Sequence, residues 1–198
     1  MRVLRFRERT ETTAIFAVDA SGSSALHRLA EAKGAIELLL ADCYARRDRV
    51  AVVAFRGAAA ALLLPPTSSL TRAKRSLAGL PGGGATPLAA GLDAALTIAE
   101  GERRAGRTPL LVVLTDGRAN IARDGSADRS KAASDAEASA KRLRATGIGA
   151  LLVDTAPRPQ PAASRLAAAM GARYVPLPHA GAASLSRTVR EARPAAGR

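Results

Sequence analysis

Short aliphatic runs alternate along this chain with longer segments in which apolar residues recur at helical spacing. Four of the runs are typical of buried strands, because they are short, rich in β-branched and aliphatic residues and nearly free of charge. They are TTAIFAVDA (12–20), RVAVVAF (49–55), PLLVVLTD (109–116) and GIGALLVD (147–154). Such alternation favours an α/β fold in which helices cover both faces of a mostly parallel sheet.

The remaining elements complete a doubly wound order, βαββααβαβαβα. The segment AAAALLL (58–64) follows a turn at Arg56-Gly57 and predicts an edge strand antiparallel to the preceding one. We expect Pro65-Pro66 to end that strand, since proline cannot donate a ladder hydrogen bond. A further short strand is expected near Tyr174. Helices are predicted over Ala25–Arg46, Thr71–Leu80, from Thr86 onward, Asp128–Thr146, Ala162–Met170 and Leu185–Arg193.

A length of 198 residues and a hydrophobic content of 47% suit one domain of this class. We expect a basic N-terminal lead-in at 1–11, a single domain at 12–193 and a flexible C-terminus at 194–198. No apolar run is long enough to span a bilayer, and the N-terminus lacks the apolar stretch of a signal peptide. The expectation is a cytoplasmic protein without a membrane partner, in which the single cysteine, Cys43, is a small core residue.

The charge balance bears on the kind of partner. The chain carries 30 Lys and Arg residues against 17 Asp and Glu, a net charge of +13, which suggests an acidic partner. The basic residues are spread from Arg2 to Arg198, and aromatic residues make up only 3% of the chain, so platforms for stacking bases are scarce. The composition therefore favours an acidic protein segment over nucleic acid.

Three polar clusters fall at the edge of the predicted sheet where ligands bind, outside the carboxyl ends of the strands. DASGS spans Asp19–Ser23, GGGATP carries Thr86, and LTDG carries Asp116. Two carboxylates and three hydroxyls form a set of hard oxygen donors, which suits Mg²⁺, Mn²⁺ or Ca²⁺. A coordination position left open there could accept a carboxylate from a partner protein. The candidate metal ligands are Asp19, Ser21, Ser23, Thr86 and Asp116.

Other interpretations of the same residues stay open. Asp19 and Ser21 are also typical helix caps, and Thr86 could cap a helix whose first position is Pro87. The two aspartates could instead support metal-assisted hydrolysis, although no general base or phosphate-binding lysine stands near the motifs.

The predicted loops also carry three consecutive glycines and two arginines. The glycines at 82–84 are not followed by the Lys and hydroxyl of a phosphate-binding loop, so ATP hydrolysis by this chain is not expected. Arg118 and Arg123 stand beside Asp116 in the sequence. They could rim the site and bind a partner carboxylate, or they could be solvated loop charges.

The pattern D-x-S-x-S, followed by a distant Thr and a distant Asp, resembles the metal-ion-dependent adhesion site of von Willebrand A and integrin I domains. All five positions match, and the strand order and loop positions agree over nearly the whole chain. The resemblance implies that Ser21 and Ser23 bind the metal directly, and that Thr86 and the two aspartates bind directly or through water.

A narrower resemblance is to the C-terminal domain of magnesium chelatase D subunits, which serve chlorophyll and bacteriochlorophyll synthesis. It rests on LPPT…AK.SL..LPGGG.TPLA.GL and LTDGRAN, with Ala85 standing where another glycine is expected. The resemblance implies a longer chain with an AAA+-like domain and an acidic linker, and the basic surplus could bind that linker or acidic patches on partner subunits. It also implies a non-catalytic role in coupling an ATPase subunit, which uses the ATP, to a porphyrin-binding subunit during Mg²⁺ insertion into protoporphyrin IX. A cobaltochelatase-type subunit and a free-standing adhesion module remain alternatives.

Overall fold

A computed structural model describes residues 11–21, 40–41, 43–79 and 82–177. The strands there are short runs whose burial is nearly continuous in β1, β2, β4 and β5, as both faces are covered. The strands are β1 Thr12–Asp19, β2 Arg49–Arg56, β3 Ala59–Thr67, β4 Thr108–Thr115, β5 Gly149–Asp154 and β6 Arg173–Pro176. The helices are α1 Leu70–Ala78, α2 Leu88–Arg104, α3 Arg129–Ala145 and α4 Pro161–Met170.

The strands form one sheet in the order β3-β2-β1-β4-β5-β6. All neighbours pair in parallel except β2 and β3, which form an antiparallel hairpin at one edge. The hairpin turns at Gly57, whose φ of 62° suits a residue without a Cβ. The predicted α/β fold, a mostly parallel sheet with one antiparallel edge strand, is therefore confirmed.

Hydrophobic cores lie on both faces of the sheet. On one face, alternate strand residues such as Phe16 and Val112 pack with Leu40, Cys43 and Ala73 of α1. On the other face, α2, α3 and α4 cover a second core, which includes Ile15, Phe55 and Leu111. Cys43 is 2% exposed, which confirms its predicted place in the core.

The prediction that Pro65-Pro66 ends β3 is wrong, because the strand continues to Thr67. Val50 pairs with Thr67 and Val52 pairs with Leu64, so β3 carries one more residue than β2 over this stretch. Such a bulge at a sheet edge removes the need for ladder donors at the two prolines. The Pro66 carbonyl instead accepts a hydrogen bond of 2.7 Å from the Arg49 guanidinium.

The prediction that Thr86 caps a helix starting at Pro87 is also wrong. Helix α2 begins at Leu88, Pro87 occupies the cap position, and no side chain caps this helix end. The hydroxyl of Thr86 instead lies 2.6 Å from the hydroxyl of Ser21. The other helix and strand boundaries lie within a few residues of the predicted ones.

Some predicted features lie outside the described residues: Ser23, most of the helix predicted at 25–46, the helix predicted at 185–193 and both chain ends. Within the described segments, no helix combines the length and the apolar character needed to cross a membrane.

Candidate metal centre

The candidate site lies where β1 and β4 end side by side in the middle of the sheet. After β1 the chain adds β2 and β3 on one side, and it then crosses to place β4 on the other side. This reversal makes the β1–β4 junction a topological switch point, where the loops diverge and leave a crevice at the carboxyl edge. Asp19 is the last residue of β1, and Asp116 follows the last residue of β4.

The Asp19 carboxylate is held by neighbours on both strands. Its Oδ1 accepts hydrogen bonds from the Ser21 amide at 3.0 Å and from the Ser21 hydroxyl at 2.6 Å. Its Oδ2 accepts a bond of 2.9 Å from the hydroxyl of Thr115, which is fully buried at the end of β4. The two carboxylate oxygens therefore have fixed directions, one toward the first loop and one toward β4.

A second hydroxyl reaches this cluster from a distant part of the chain. Thr86 Oγ1 lies 2.6 Å from Ser21 Oγ. Ser21 has a single hydroxyl proton, which it donates to Asp19, so Thr86 is the donor in this second bond. Three side-chain oxygens from two loops thus form a continuous chain, with Thr86 buried at 7% exposure.

Asn120 holds Thr86 in place by its backbone. The side-chain Oδ1 of Asn120 accepts a bond of 2.6 Å from the backbone N–H of Thr86. The backbone N–H of Asn120 in turn donates to the Thr86 carbonyl at 3.2 Å. The glycine loop before Thr86 is tied down as well, since the Gly83 amide donates to the Ala20 carbonyl at 2.9 Å. These bonds connect the three loops of the site to one another.

The loop after β4 turns sharply at Gly117. Its φ is 77°, and an added Cβ would lie 2.5 Å from the backbone of Ala163 in α4, so only glycine fits this position without displacement. The turn keeps Asp116 on the crevice wall, where its Oδ1 accepts a bond of 3.0 Å from the Arg118 amide.

Burial raises the pKa of the Asp19 carboxyl above its ordinary value of 3.8. The hydrogen bonds from Ser21 and Thr115 act in the opposite direction, and the nearby charge of Asp116 raises the pKa further. None of the ion pairs within the described part of the chain involves Asp19. A buried carboxylate next to a second carboxylate, with no cationic side chain of the described residues paired to it, is an environment that a bound cation stabilises.

The donor set fits a hard divalent cation. Adjacent oxygens of a magnesium octahedron with bonds of about 2.1 Å lie about 3 Å apart. The Asp19–Ser21 and Ser21–Thr86 oxygen pairs, at 2.6 Å, are already close to that separation. Among the described residues, no three His, Cys, Asp or Glu side chains come together, so the set combines two carboxylates with hydroxyls. Such a set suits Mg²⁺, Mn²⁺ or Ca²⁺ and not zinc.

The structure brings most of the predicted site residues together. A cleft of about 460 Å³ at this edge is lined by Asp19, Ser21, Thr86, Asp116 and Arg118. Ser23 lies outside the described residues, so its place in the set stays a prediction.

Arg123, predicted as a rim residue together with Arg118, lies elsewhere. Its guanidinium forms an ion pair of 3.0 Å with Asp93 of α2 and a hydrogen bond of 2.6 Å to Ser139 of α3. It therefore fastens the loop to two helices and does not line the cleft. Proximity to Asp116 in the sequence was misleading, because the loop folds back over α2 and α3.

The sequence-based prediction missed three residues at the site: Thr115, Asn120 and Arg129. Thr115 and Asn120 belong to the same LTDGRAN stretch as Asp116, and polar residues next to a predicted ligand could have suggested supporting roles. Arg129, at the start of α3, had no local signal, since only the folded loop brings it to the cleft.

This fold, with an oxygen cluster at the β1–β4 switch point, defines the class of protein. Residues 14–118 match the von Willebrand factor type A domain family, and the chain belongs to that family. The von Willebrand factor domain of the type V pili tip protein Mfa5 from Porphyromonas gingivalis has a similar structure, with a TM-score of 0.72. The match covers 93% of this chain and 96% of that one, but at 11% identity it supports the fold alone.

Closer relatives in sequence carry a specific name. The chain is 56% identical over 189 residues to the magnesium-chelatase 60 kDa subunit of Cereibacter sphaeroides, covering 96% of this chain and 34% of that protein. It is 52% identical to the magnesium-chelatase 60 kDa subunit of Rhodobacter capsulatus, covering 91% of this chain and 32% of that protein. The chain thus spans about a third of the length of these relatives.

Proposed function

We propose that this chain is the cation-dependent interaction domain of a magnesium chelatase D subunit. In this proposal the cleft holds a divalent cation, with Mg²⁺ as the preferred ion. The bound cation in turn binds a carboxylate of a partner subunit. The domain thereby couples the ATPase subunit to the porphyrin-binding subunit while Mg²⁺, as the substrate, is inserted into protoporphyrin IX.

One observation carries the cation-dependent part of the proposal. The oxygens of Asp19, Ser21 and Thr86 converge within hydrogen-bonding distance on the same cleft as Asp116. Helix caps would not require this convergence, and the hydroxyl of Thr86 does not cap α2. Four oxygen-bearing side chains from three loops therefore support a common ligand, and a hard cation matches their chemistry.

The chelatase part of the proposal is supported by the relatives. Both relatives are more than 50% identical to this chain over more than nine tenths of its length, which is typical of equivalent domains in one family. Both carry the magnesium-chelatase name. We assign the chelatase activity itself to a larger assembly, of which the chain would supply the part that matches a third of these relatives. A role in interaction, with ATP used by the partner ATPase subunit, fits a chain without a P-loop.

The residues of this chain have separate tasks in the proposal. Asp19, Ser21, Thr86 and Asp116 hold the cation, with Ser23 as the predicted fifth ligand. Thr115 and Asn120 fix the directions of Asp19 and Thr86, which reduces the ordering that binding would otherwise require. When bound, the cation supplies a positive charge and an open coordination position for a partner carboxylate.

The experiment is a binding measurement between this 198-residue chain and the two partner subunits of magnesium chelatase, with Mg²⁺ and with EDTA. Asp19→Ala tests the site, and Asp124→Ala is the matched control, since Asp124 is an exposed carboxylate paired with Lys131 outside the cleft. We expect binding that needs Mg²⁺, is lost in Asp19→Ala and persists in Asp124→Ala. Binding that is indifferent to EDTA and to Asp19→Ala would contradict the cation-dependent mechanism.

A further inference from the structure

We propose that the cleft binds an acidic polypeptide segment with several carboxylates, of which one meets the cation and others meet three arginines on the rim. The arginines are Arg118, Arg129 and Arg158. This inference rests on the proposed function, since it names the partner chemistry of the same site, but it depends on different residues.

The three arginines line two adjoining depressions that both contain Asp116. Arg129 lines the main cleft together with Asp19 and Asp116. A second depression of about 290 Å³ adjoins it, shares Asp116 and Arg118 with it, and carries Arg158 on its wall. Because the two depressions share Asp116 and Arg118, we call them together the groove, in which Arg129 lines the first depression and Arg158 lines the second.

These arginines are available to a ligand. Arg129 and Arg158 are exposed, and neither forms a hydrogen bond or an ion pair with another residue in the described segments. The carboxylate of Asp128, next to Arg129, is directed to the amides of Ser130 and Lys131. Arg118 donates to the neutral side chain of Gln160 at 3.1 Å and forms no ion pair with a carboxylate of the described residues.

The charges of the groove predict how binding depends on the cation. Its described lining contains two carboxylates, Asp19 and Asp116, against the three arginines. A divalent cation would balance both carboxylates and leave the charge of the arginines uncompensated. An acidic segment should therefore be attracted along the whole groove once the cation is present, and not only at one coordination position.

The lining favours a polypeptide over nucleic acid. The described residues that line the groove include no aromatic side chain on which a base could stack. The small residues Ala119, Ala133 and Ala162 also line the cleft, so an extended chain can approach it closely. Planar guanidinium groups bind carboxylates in a bidentate manner, which suits Asp and Glu side chains spaced along such a chain.

The test compares two fluorescent peptides of equal length, hexaglutamate and a Gly-Ser peptide with a single glutamate, for binding to the 198-residue chain in saturating Mg²⁺. We expect Arg129→Gln and Arg158→Gln each to weaken hexaglutamate binding by about two- to fivefold, a magnitude typical of exposed ion pairs. The single-glutamate peptide should be unaffected. Arg104→Gln is the matched control, because Arg104 is an exposed arginine at the far end of α2.

The outcomes separate this inference from the proposed function. If the double variant Arg129→Gln/Arg158→Gln binds hexaglutamate as well as Arg104→Gln does, the rim has no role and the inference is wrong. If Asp19→Ala and EDTA leave hexaglutamate binding unchanged while the rim variants weaken it, the proposed cation mechanism fails but the rim stands. An oligonucleotide that competes with the same dependence on Arg129 and Arg158 would overturn the assignment to a polypeptide.

Discussion

The hydroxyl oxygens of Ser21 and Thr86, which are 65 positions apart in the sequence, lie 2.6 Å from each other. Ser21 also donates to Asp19 at 2.6 Å, so the two hydroxyls and the carboxylate share one line of hydrogen bonds. Asn120 already holds the Thr86 backbone and Thr115 already holds the Asp19 carboxylate, so these oxygens could bind a cation with little rearrangement of the chain.

Replacement of Thr86 by valine should weaken cation binding without unfolding the chain. Valine keeps the shape of the buried side chain but removes the oxygen, so we expect Mg²⁺ affinity to fall at least about tenfold. Calorimetric titration measures this loss. Thr97→Val is the matched control, because Thr97 is exposed on α2 and its hydroxyl donates to the Asp93 carbonyl, away from the cleft. An equal loss in both variants would show that the Thr86 hydroxyl has no specific role.

Asn120 is expected to act through Thr86 and not as a ligand itself. Asn120→Ala removes the acceptor of the Thr86 amide, so cation affinity should fall about tenfold. Asn120→Asp keeps an oxygen at that position and should restore most of the affinity. If the alanine and aspartate variants bind the cation equally, the hydrogen bond to the Thr86 amide does not position the site.

The raised pKa of Asp19 predicts the pH dependence of stability without metal. The folded chain binds the Asp19 proton more tightly than the unfolded chain does, so protonation of Asp19 adds to the free energy of unfolding. This stabilisation is fully present below the ordinary pKa of 3.8. It is lost as the pH rises through the folded pKa. Urea unfolding in EDTA should show this decline in the parent and not in Asp19→Asn. A decline of the same size in Asp19→Asn would assign it to other groups.

Gly117 should tolerate no side chain. Gly117→Ala places a Cβ against the Ala163 backbone and also strains a left-handed conformation. We therefore expect the free energy of unfolding to fall by about 2–4 kcal/mol. Gly125→Ala is the matched control, since Gly125 has a similar φ of 82° but nothing within 4 Å of the added Cβ. It should lose only about 1–2 kcal/mol. Equal losses in urea unfolding would mean that the contact with α4 relaxes freely.

Most of the fold could be predicted because its strands are continuous aliphatic runs, and the strongest of them, β4, has six consecutive fully apolar buried residues from Pro109 to Leu114. The path of β3 could not be predicted in the same way. Proline is excluded from ladders only where its nitrogen must donate, and the bulge at this edge removes that requirement.

Only those site residues that stand at or directly after the end of a predicted strand, or at a predicted helix start, could be assigned from the sequence. Asp19 and Asp116 stand at strand ends, and the helical spacing after Thr86 placed that residue at the same edge. Arg123 and Arg129 show the limit, since the first was predicted at the rim but binds Asp93, and the second reaches the cleft without a sequence signal. The course of the loop between β4 and α3 depends on long-range contacts, which local patterns do not report.

The proposed function requires that the cleft bind one divalent cation through Asp19, and Mn²⁺ titration followed by electron paramagnetic resonance detects such a bound ion. We predict one bound Mn²⁺ per chain, displaced by Mg²⁺, absent in Asp19→Ala and retained in Asp124→Ala. No binding at millimolar Mn²⁺, or binding that Asp19→Ala leaves unchanged, would contradict the proposed function.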